Sequence, residues 1–190
     1  MRNILSILLV SVLLIGCSEN RVLIDELTNK GTEESPIMYS EKGLFNGIGF
    51  DVYKNGQLKF ENNYKDGKKD GSFKEWYKNG QLKIEGNIKD GKRDGLWKEW
   101  YENGQLEFEY NYKDGELDGL YKKYHTNGQL FLEHNYKDGE KDGLWKDWYE
   151  SGQLKYEGNW KDGKEDGVSK YYYEGKILFT TEYKDGEEIE

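Results

Sequence analysis

Asp-Gly returns every 24 positions along most of this chain: Asp66-Gly67, Asp90-Gly91, Asp114-Gly115, Asp138-Gly139 and Asp162-Gly163. A second series runs in step at Asp70-Gly71, Asp94-Gly95, Asp118-Gly119, Asp142-Gly143 and Asp166-Gly167. A third marks Asn55-Gly56, Asn79-Gly80, Asn103-Gly104 and Asn127-Gly128, continued by Ser151-Gly152. A fixed period of this length means one supersecondary unit repeated and stacked on itself. Counting back to Asn46-Gly47, six units fill the chain: 47–70, 71–94, 95–118, 119–142, 143–166 and 167–190. The last has lost one residue, which puts Gly175 and Asp185-Gly186 one place early.

The unit Gly95–Asp118 shows what each period builds. Asn103-Gly104 lies between two aromatic-rich runs, a strong short-range hairpin signal that suggests a type I′ turn. Leu96–Tyr101 is then the first strand and Leu106–Lys113 the second. In the second strand Leu106, Phe108, Tyr110 and Tyr112 alternate with Glu107, Glu109, Asn111 and Lys113, which is the period of a strand. A two-residue loop would set Tyr101 against Leu106, Trp97 against Tyr110 and Gly95 against Tyr112. It would leave Gly95 as room for the Tyr112 ring. The opposite face would carry Leu96, Lys98, Trp100, Glu107, Glu109 and Asn111, with Lys98 across from Glu109. The expected fold is all-β: an elongated antiparallel meander of six 24-residue β-hairpin repeats, about twelve strands and about 55 Å long, as an open single sheet or a half-pipe. A 34% share of charged residues would suit disorder, but 15% aromatic residues would not. The chain has only one proline, so little interrupts strand pairing.

Two residues resist this pattern. Glu99 falls on the aromatic face and Trp100 on the polar one, and a β-bulge in the first strand could exchange them. The Trp100 position reads Trp76, Trp100, Tyr124, Trp148 and Tyr172 across units. On the polar face these rings form a column with steps of about 9.6 Å. Beside it run Leu96, Leu120, Leu144 and Val168. An exposed stripe of that kind marks a partner site or a homodimer seam; turned inward by a bulge, the same rings would only hold the array together. The Trp97 position, reading Phe73, Trp97, Tyr121, Trp145 and Ser169, is expected to pack. Asp114, Glu116 and Asp118 resemble the first half of a calcium loop, but its twelfth position would be His125. Turn chemistry accounts for these acids better. His125 and His134 are the only histidines and fall on different strands. No metal or other cofactor is expected, and no catalytic residue is singled out, because carboxylates recur at surface positions of every unit and no catalytic pair breaks the repeat symmetry.

The units resemble MORN repeats, whose pattern runs Tyr-x-Gly-x-Trp-x-x-Gly. Tyr156-Glu157-Gly158-Asn159-Trp160-Lys161-Asp162-Gly163 matches it, and Ile84-Glu85-Gly86-Asn87-Ile88 keeps the middle glycine. They are also similar to the variant repeats of bacteria, Gly-x-Trp-x-x-Tyr-Tyr-x-x-Gly-x-Leu-x-x-Glu. Gly143-Leu144-Trp145-Lys146-Asp147-Trp148-Tyr149-Glu150-Ser151-Gly152-Gln153-Leu154 follows that signature with Trp148 for the first Tyr. The resemblance implies a binding protein, since some bacterial members carry an antitoxin label. Others carry a phosphoinositide-kinase label taken from plant enzymes that bear such repeats. This chain has no room for a kinase domain and no Gly-rich phosphate loop followed by catalytic Lys and Asp.

The chain begins with Met1, Arg2 and Asn3, then an apolar run from Ile4 to Ile15, too short to span a bilayer as a helix and suited to a secretory signal. It ends in Leu14-Ile15-Gly16-Cys17, which resembles the lipobox of bacterial lipoproteins. Residues 1–17 then form a lipoprotein signal ending at Cys17, and the resemblance implies that Cys17 is acylated and becomes the first residue of the mature protein, with export and lipid anchoring to the cell membrane or outer membrane. Residues 18–46 would then be a polar tether with short apolar runs that cap the first hairpin. A net charge of −9 disfavours nucleic acid and anionic headgroups as ligands. The expected activity is a non-catalytic, membrane-anchored protein–protein interaction module, antitoxin-like in kind. The alternative is a surface that binds carbohydrate or cell-wall glycan through its repeated rings. Metabolic labelling with palmitate tests the anchor: the chain should take up label, and Cys17→Ala should abolish uptake and release the protein from the membrane fraction. Labelling that survives Cys17→Ala would refute it.

Overall fold

A computed structural model describes residues 20–33 and 36–189. The expected signal segment 1–17 and Cys17 lie outside the described residues. A short lead-in comprises β1 (Arg21–Leu23), a 3-10 turn (Ile24–Glu26), β2 (Thr28–Asn29), β3 (Met38–Ser40) and β4 (Gly43–Leu44). The array follows: β5 (Gly47–Val52), β6 (Leu58–Lys65), β7 (Lys68–Trp76), β8 (Leu82–Lys89), β9 (Lys92–Trp100), β10 (Leu106–Lys113), β11 (Glu116–Tyr124), β12 (Leu130–Lys137), β13 (Glu140–Trp148) and β14 (Leu154–Lys161). It closes with β15 (Lys164–Glu165), β16 (Gly167–Tyr173), β17 (Lys176–Lys184) and β18 (Glu187–Ile189). From β5 onward neighbours in sequence are neighbours in space, in one 15-stranded sheet that does not close into a barrel. β1 joins its edge parallel to β5, so the sheet is mixed, while β2, β3 and β4 form a small sheet of their own. The all-β meander expected from the 24-residue period is therefore the fold.

The glycine pairs do three different jobs, and only one is a two-residue turn. At Asp114-Gly115 both residues have positive φ (51° and 92°), the mark of a type I′ turn, and Lys113 pairs with Glu116 around it. The equivalent Asp and Gly of every unit repeat this geometry. The Asn-Gly loops differ from expectation. The amide of Gly104 donates to the Tyr101 carbonyl, and that of Tyr101 to the Gln105 carbonyl, each at 2.8 Å. Only Gly104 is left-handed (φ 85°), so the loop has three residues: a type I turn followed by a bulge glycine. Tyr101 accordingly faces Gln105, and Leu106 pairs with Trp100. The single deletion in the last unit converts this loop into a two-residue turn, with Glu174 and Gly175 both at positive φ and Tyr173 paired with Lys176.

The second Asp-Gly series lies inside strands, except that Asp166 falls in the break between β15 and β16. Between β10 and β11 the pairing jumps from Tyr110–Tyr121 to Tyr112–Leu117, so that Asn111 faces a bulge at 118–120. Asn135 fills the equivalent bulge with its side chain, donating from Nδ2 to the Leu144 carbonyl at 2.8 Å. The glycine there is required by its backbone. Gly143 has φ 103°, a region closed to other L-residues, whereas a Cβ on Gly95 would meet nothing within 4 Å. Space for the Tyr112 ring is therefore not the reason.

One face of the sheet is packed with rings. Pairing aligns Phe73, Gly86, Trp97, Tyr110, Tyr121, His134, Trp145, Gly158 and Ser169 roughly in line across nine strands. Trp97 stacks on Phe73 (5.5 Å), Tyr110 on Tyr121 (5.6 Å) and His134 on Trp145 (3.5 Å). Offset stacking adds to the area these rings bury. The Trp97 indole lies over Gly86, where any Cβ would overlap it. Its Nε1 donates to the Asn87 carbonyl at 3.1 Å. Glu99 does lie on this face, and it is accommodated because it accepts the Tyr110 hydroxyl.

At the start of the array the lead-in folds over β6. Leu27, Met38, Phe45 and Tyr64 bury one another, with Val22 and Ile24 against them. Burial pushes the Tyr64 hydroxyl up to about 12, and burial likewise sets Tyr121 at about 12. Both lie above the free tyrosine value of about 10. A folded-state value raised in this way gives stability that is complete below pH about 10 and lost as pH rises through about 12. Alkaline titration followed by far-UV dichroism should show the sheet lost across that window, with Tyr64→Phe moving the midpoint upward. An unmoved midpoint would mean that Tyr64 ionises without opposing the fold.

Candidate binding surface

The other face carries the residues singled out for binding, and three straight rows cross it. Trp76, Trp100, Tyr124, Trp148 and Tyr172 pair in turn with Leu82, Leu106, Leu130, Leu154 and Ile177. A bulge does fall here, but its extra residue lies in the partner strand, at Glu107 between Leu106 and Phe108. The rings therefore keep to the polar face. Tyr124 feels the charges of Lys122, Glu109, Glu133 and Lys98, and Tyr172 donates to Glu157 at 2.7 Å. All five rings are half-buried, and burial raises the Tyr124 hydroxyl above its ordinary value.

A second row consists of Leu96, Leu120, Leu144 and Val168, exposed by 46%, 39%, 38% and 43%, with Asn111, Asn135 and Asn159 opposite the three leucines. Between the two rows runs a ladder of alternating charge. Pairing places Glu61, Lys74, Glu85, Lys98, Glu109, Lys122, Glu133, Lys146, Glu157 and Lys170 side by side on ten neighbouring strands. Lys98 reaches Glu109 at 3.4 Å, Lys122 reaches Glu133 at 3.3 Å, and Lys170 reaches Glu157 at 3.0 Å. The Tyr172 hydroxyl and then the Lys170 ammonium hold Glu157 below the usual carboxylate range. Arg21 of the lead-in pairs with Glu61 at one end of the ladder.

Matching against family models finds the MORN repeat variant at residues 45–66, 69–90, 93–114, 117–138 and 141–162. This chain belongs to the MORN repeat variant family. No curated protein matches it. The five matched stretches begin two residues ahead of the glycine-based units and stop before the sixth hairpin, where the loop has lost its residue. MORN repeats are commonly modules that bind proteins or membranes, and the fold is that of a repeat module and of no known enzyme family.

Within this MORN array the remaining singled-out residues find structural roles. Asp70, for one, accepts the amide of Asp90 through its carboxylate at 3.3 Å, linking one turn to the next. Among the described residues no cluster of His, Cys, Asp or Glu is gathered for a metal. His134 lies against Trp145 with Nε2 at 2.8 Å from Asp147. His125 and His134 are not brought together.

What sequence reasoning missed is a set of latches between repeats. The hydroxyls of Tyr53, Tyr77, Tyr101 and Tyr149 each donate to the backbone carbonyl 23 residues on, at Trp76, Trp100, Tyr124 and Tyr172, over 2.7–3.0 Å. The tyrosine two residues before the Asn-Gly or Ser-Gly pair in four of these five loops was the available signal. His125 breaks the series: its ring packs on Phe131 at 4.8 Å and its Nε2 is buried without a partner. A hydrogen bond of this kind contributes about 1 kcal/mol. Tyr101→Phe should therefore destabilise the array by about 1 kcal/mol, and His125→Tyr should stabilise it by a similar amount through the Trp148 carbonyl. Urea denaturation of the two variants checks both, and a neutral Tyr101→Phe would refute the latch.

Proposed function

We propose that this chain is an exported, lipid-anchored interaction module that binds a protein partner through the face carrying Trp76, Trp100, Tyr124, Trp148 and Tyr172. What supports the reading is that every feature of this face repeats. The charge ladder extends over ten strands, five rings and a row of exposed aliphatic residues recur beside it, and the departures, such as Ser72 in the place of Leu96, gather no set of reactive side chains. Catalysis needs one constellation unlike its surroundings, whereas a flat periodic surface suits docking over a large area. Aromatic anchors on a face with exposed apolar side chains are the residue types that dominate protein interfaces. The anchor at Cys17 would hold this surface at the membrane, and an antitoxin-like role would be one form of such binding.

The test is capture in the native envelope by cross-linking, comparing the wild-type chain with Trp76→Ala/Trp100→Ala/Trp148→Ala. The wild type should retain a specific protein that the triple variant loses, with far-UV dichroism unchanged. Capture that survives the triple substitution would show that the partner uses another surface. Co-sedimentation with purified peptidoglycan that is lost with the same rings would instead favour the glycan reading.

A further inference from the structure

The charge ladder has a symmetry that a random polar face lacks. Glu and Lys alternate strictly over ten strands, so the pattern reverses sign about any line drawn between two neighbouring strands. The line between β10 and β11, between Glu109 and Lys122, divides the ladder into five strands on either side. We infer that the partner on this face is a second copy of the chain, packed face to face about a two-fold axis that runs along that line, parallel to the strands. The inference rests on the reading of this face as a docking surface.

The geometry of that axis decides what meets what. Rotation about it carries each strand onto the one equally far on the other side of the line. Glu109 then faces Lys122 of the second copy, and Lys98 faces Glu133 of the second copy, and so on outward. All ten ladder residues meet opposite charge. An in-plane axis along the ladder would instead set Glu on Glu and Lys on Lys, which is repulsive. The ring row obeys the same operation, while in the other row each exposed leucine meets an asparagine, Leu120 facing Asn111 of the second copy and Leu96 facing Asn135 of the second copy. Rings occur on one strand of each hairpin and leucines on the other, so Tyr124 faces Leu106 of the second copy and Trp100 faces Leu130 of the second copy. Ring meets aliphatic side chain at every step. A closed two-fold pairing uses one patch twice, and the charge and ring rows of this patch are complementary to themselves.

The size is sufficient. At about 4.8 Å per strand and three rows of side chains, the contact would bury about 1,200 Å² in total, the lower bound for specific interfaces. A two-fold axis parallel to the strands keeps facing strands in the aligned class of sheet packing, so contact runs outward along the ladder from the axis. Leu120 and Tyr124 lie beside it, and Leu120 is among the exposed aliphatic residues.

Charge segregation tests the pairing. An acidic form carries Lys98→Glu, Lys122→Glu and Lys146→Glu; a basic form carries Glu85→Lys, Glu109→Lys and Glu133→Lys. Light scattering of the full chain in detergent, corrected for detergent, gives the mass. The wild type should show twice the chain mass, each charged form the mass of one chain, and their mixture twice the chain mass again. Because like charges on adjacent strands strain the sheet as well as the pairing, Tyr124→Arg in the wild-type ladder is a second probe and should also give one chain. A wild type that is monomeric, or a Tyr124→Arg chain that stays dimeric, overturns the inference. A monomeric wild type whose Trp76/Trp100/Trp148 variant still loses a different captured protein overturns only the second copy. If that capture is also unaffected, the docking role of the face falls as well.

Discussion

The array depends on bonds between the loops of successive repeats. A sheet one layer thick has no second sheet to trap its core, so strand pairing alone would leave each hairpin free to slide. Loops at both edges prevent this. Along one edge the amides of Gly91, Gly115, Gly139 and Gly163 donate to the carbonyls of Lys69, Arg93, Leu117 and Lys141, each in the preceding repeat, over 2.9–3.2 Å. Along the other, tyrosine hydroxyls and the Nδ2 atoms of Asn55, Asn79 and Asn127 reach carbonyls of the following loop. Each hairpin is therefore clamped at two ends to its neighbours and to nothing else, which makes stability a sum of unit and nearest-neighbour contributions.

Fixed register turns a repeated sequence into rows. On one face the rows are rings that stack and hydrogen-bond among themselves, with Gly86 making way for Trp97. On the other they are charges, exposed aliphatic residues and half-buried rings. The bulge at each inner Asp-Gly keeps these rows straight, because it takes up the extra residues of one strand without passing the offset to the next pair. The two faces thus divide the work, one holding the array and the other presenting a periodic surface.

The period, the hairpins and the pairing of Trp97 with Tyr110 could be read from the residues, since glycine pairs and alternating side chains report backbone geometry locally. Even the Lys98–Glu109 pair was legible, and its recurrence every 24 residues contained the whole ladder. The loop types were not. Asn-Gly suits a type I′ turn, but the three-residue loop won because it places the tyrosine hydroxyl against the next repeat, a contact across 23 residues that no local propensity encodes. Nor could the inner Asp-Gly be told from a turn by composition, because its glycine alone takes positive φ in the bulge, as at Gly119, just as a glycine does in a turn. For Trp100, alternation gave the correct face, and the uncertainty came from a bulge whose strand could not be assigned without the partner's register.

Hydrogen exchange at single amides tests the clamped register most directly. Gly115, Gly139 and Gly163 are exposed residues at turn tips, where amides ordinarily exchange freely. If each donates to the repeat before it, all three should be protected to a degree comparable with the strand amides beside them, and should lose protection together as the array opens. Rapid exchange at these glycines in an otherwise protected sheet would contradict the account.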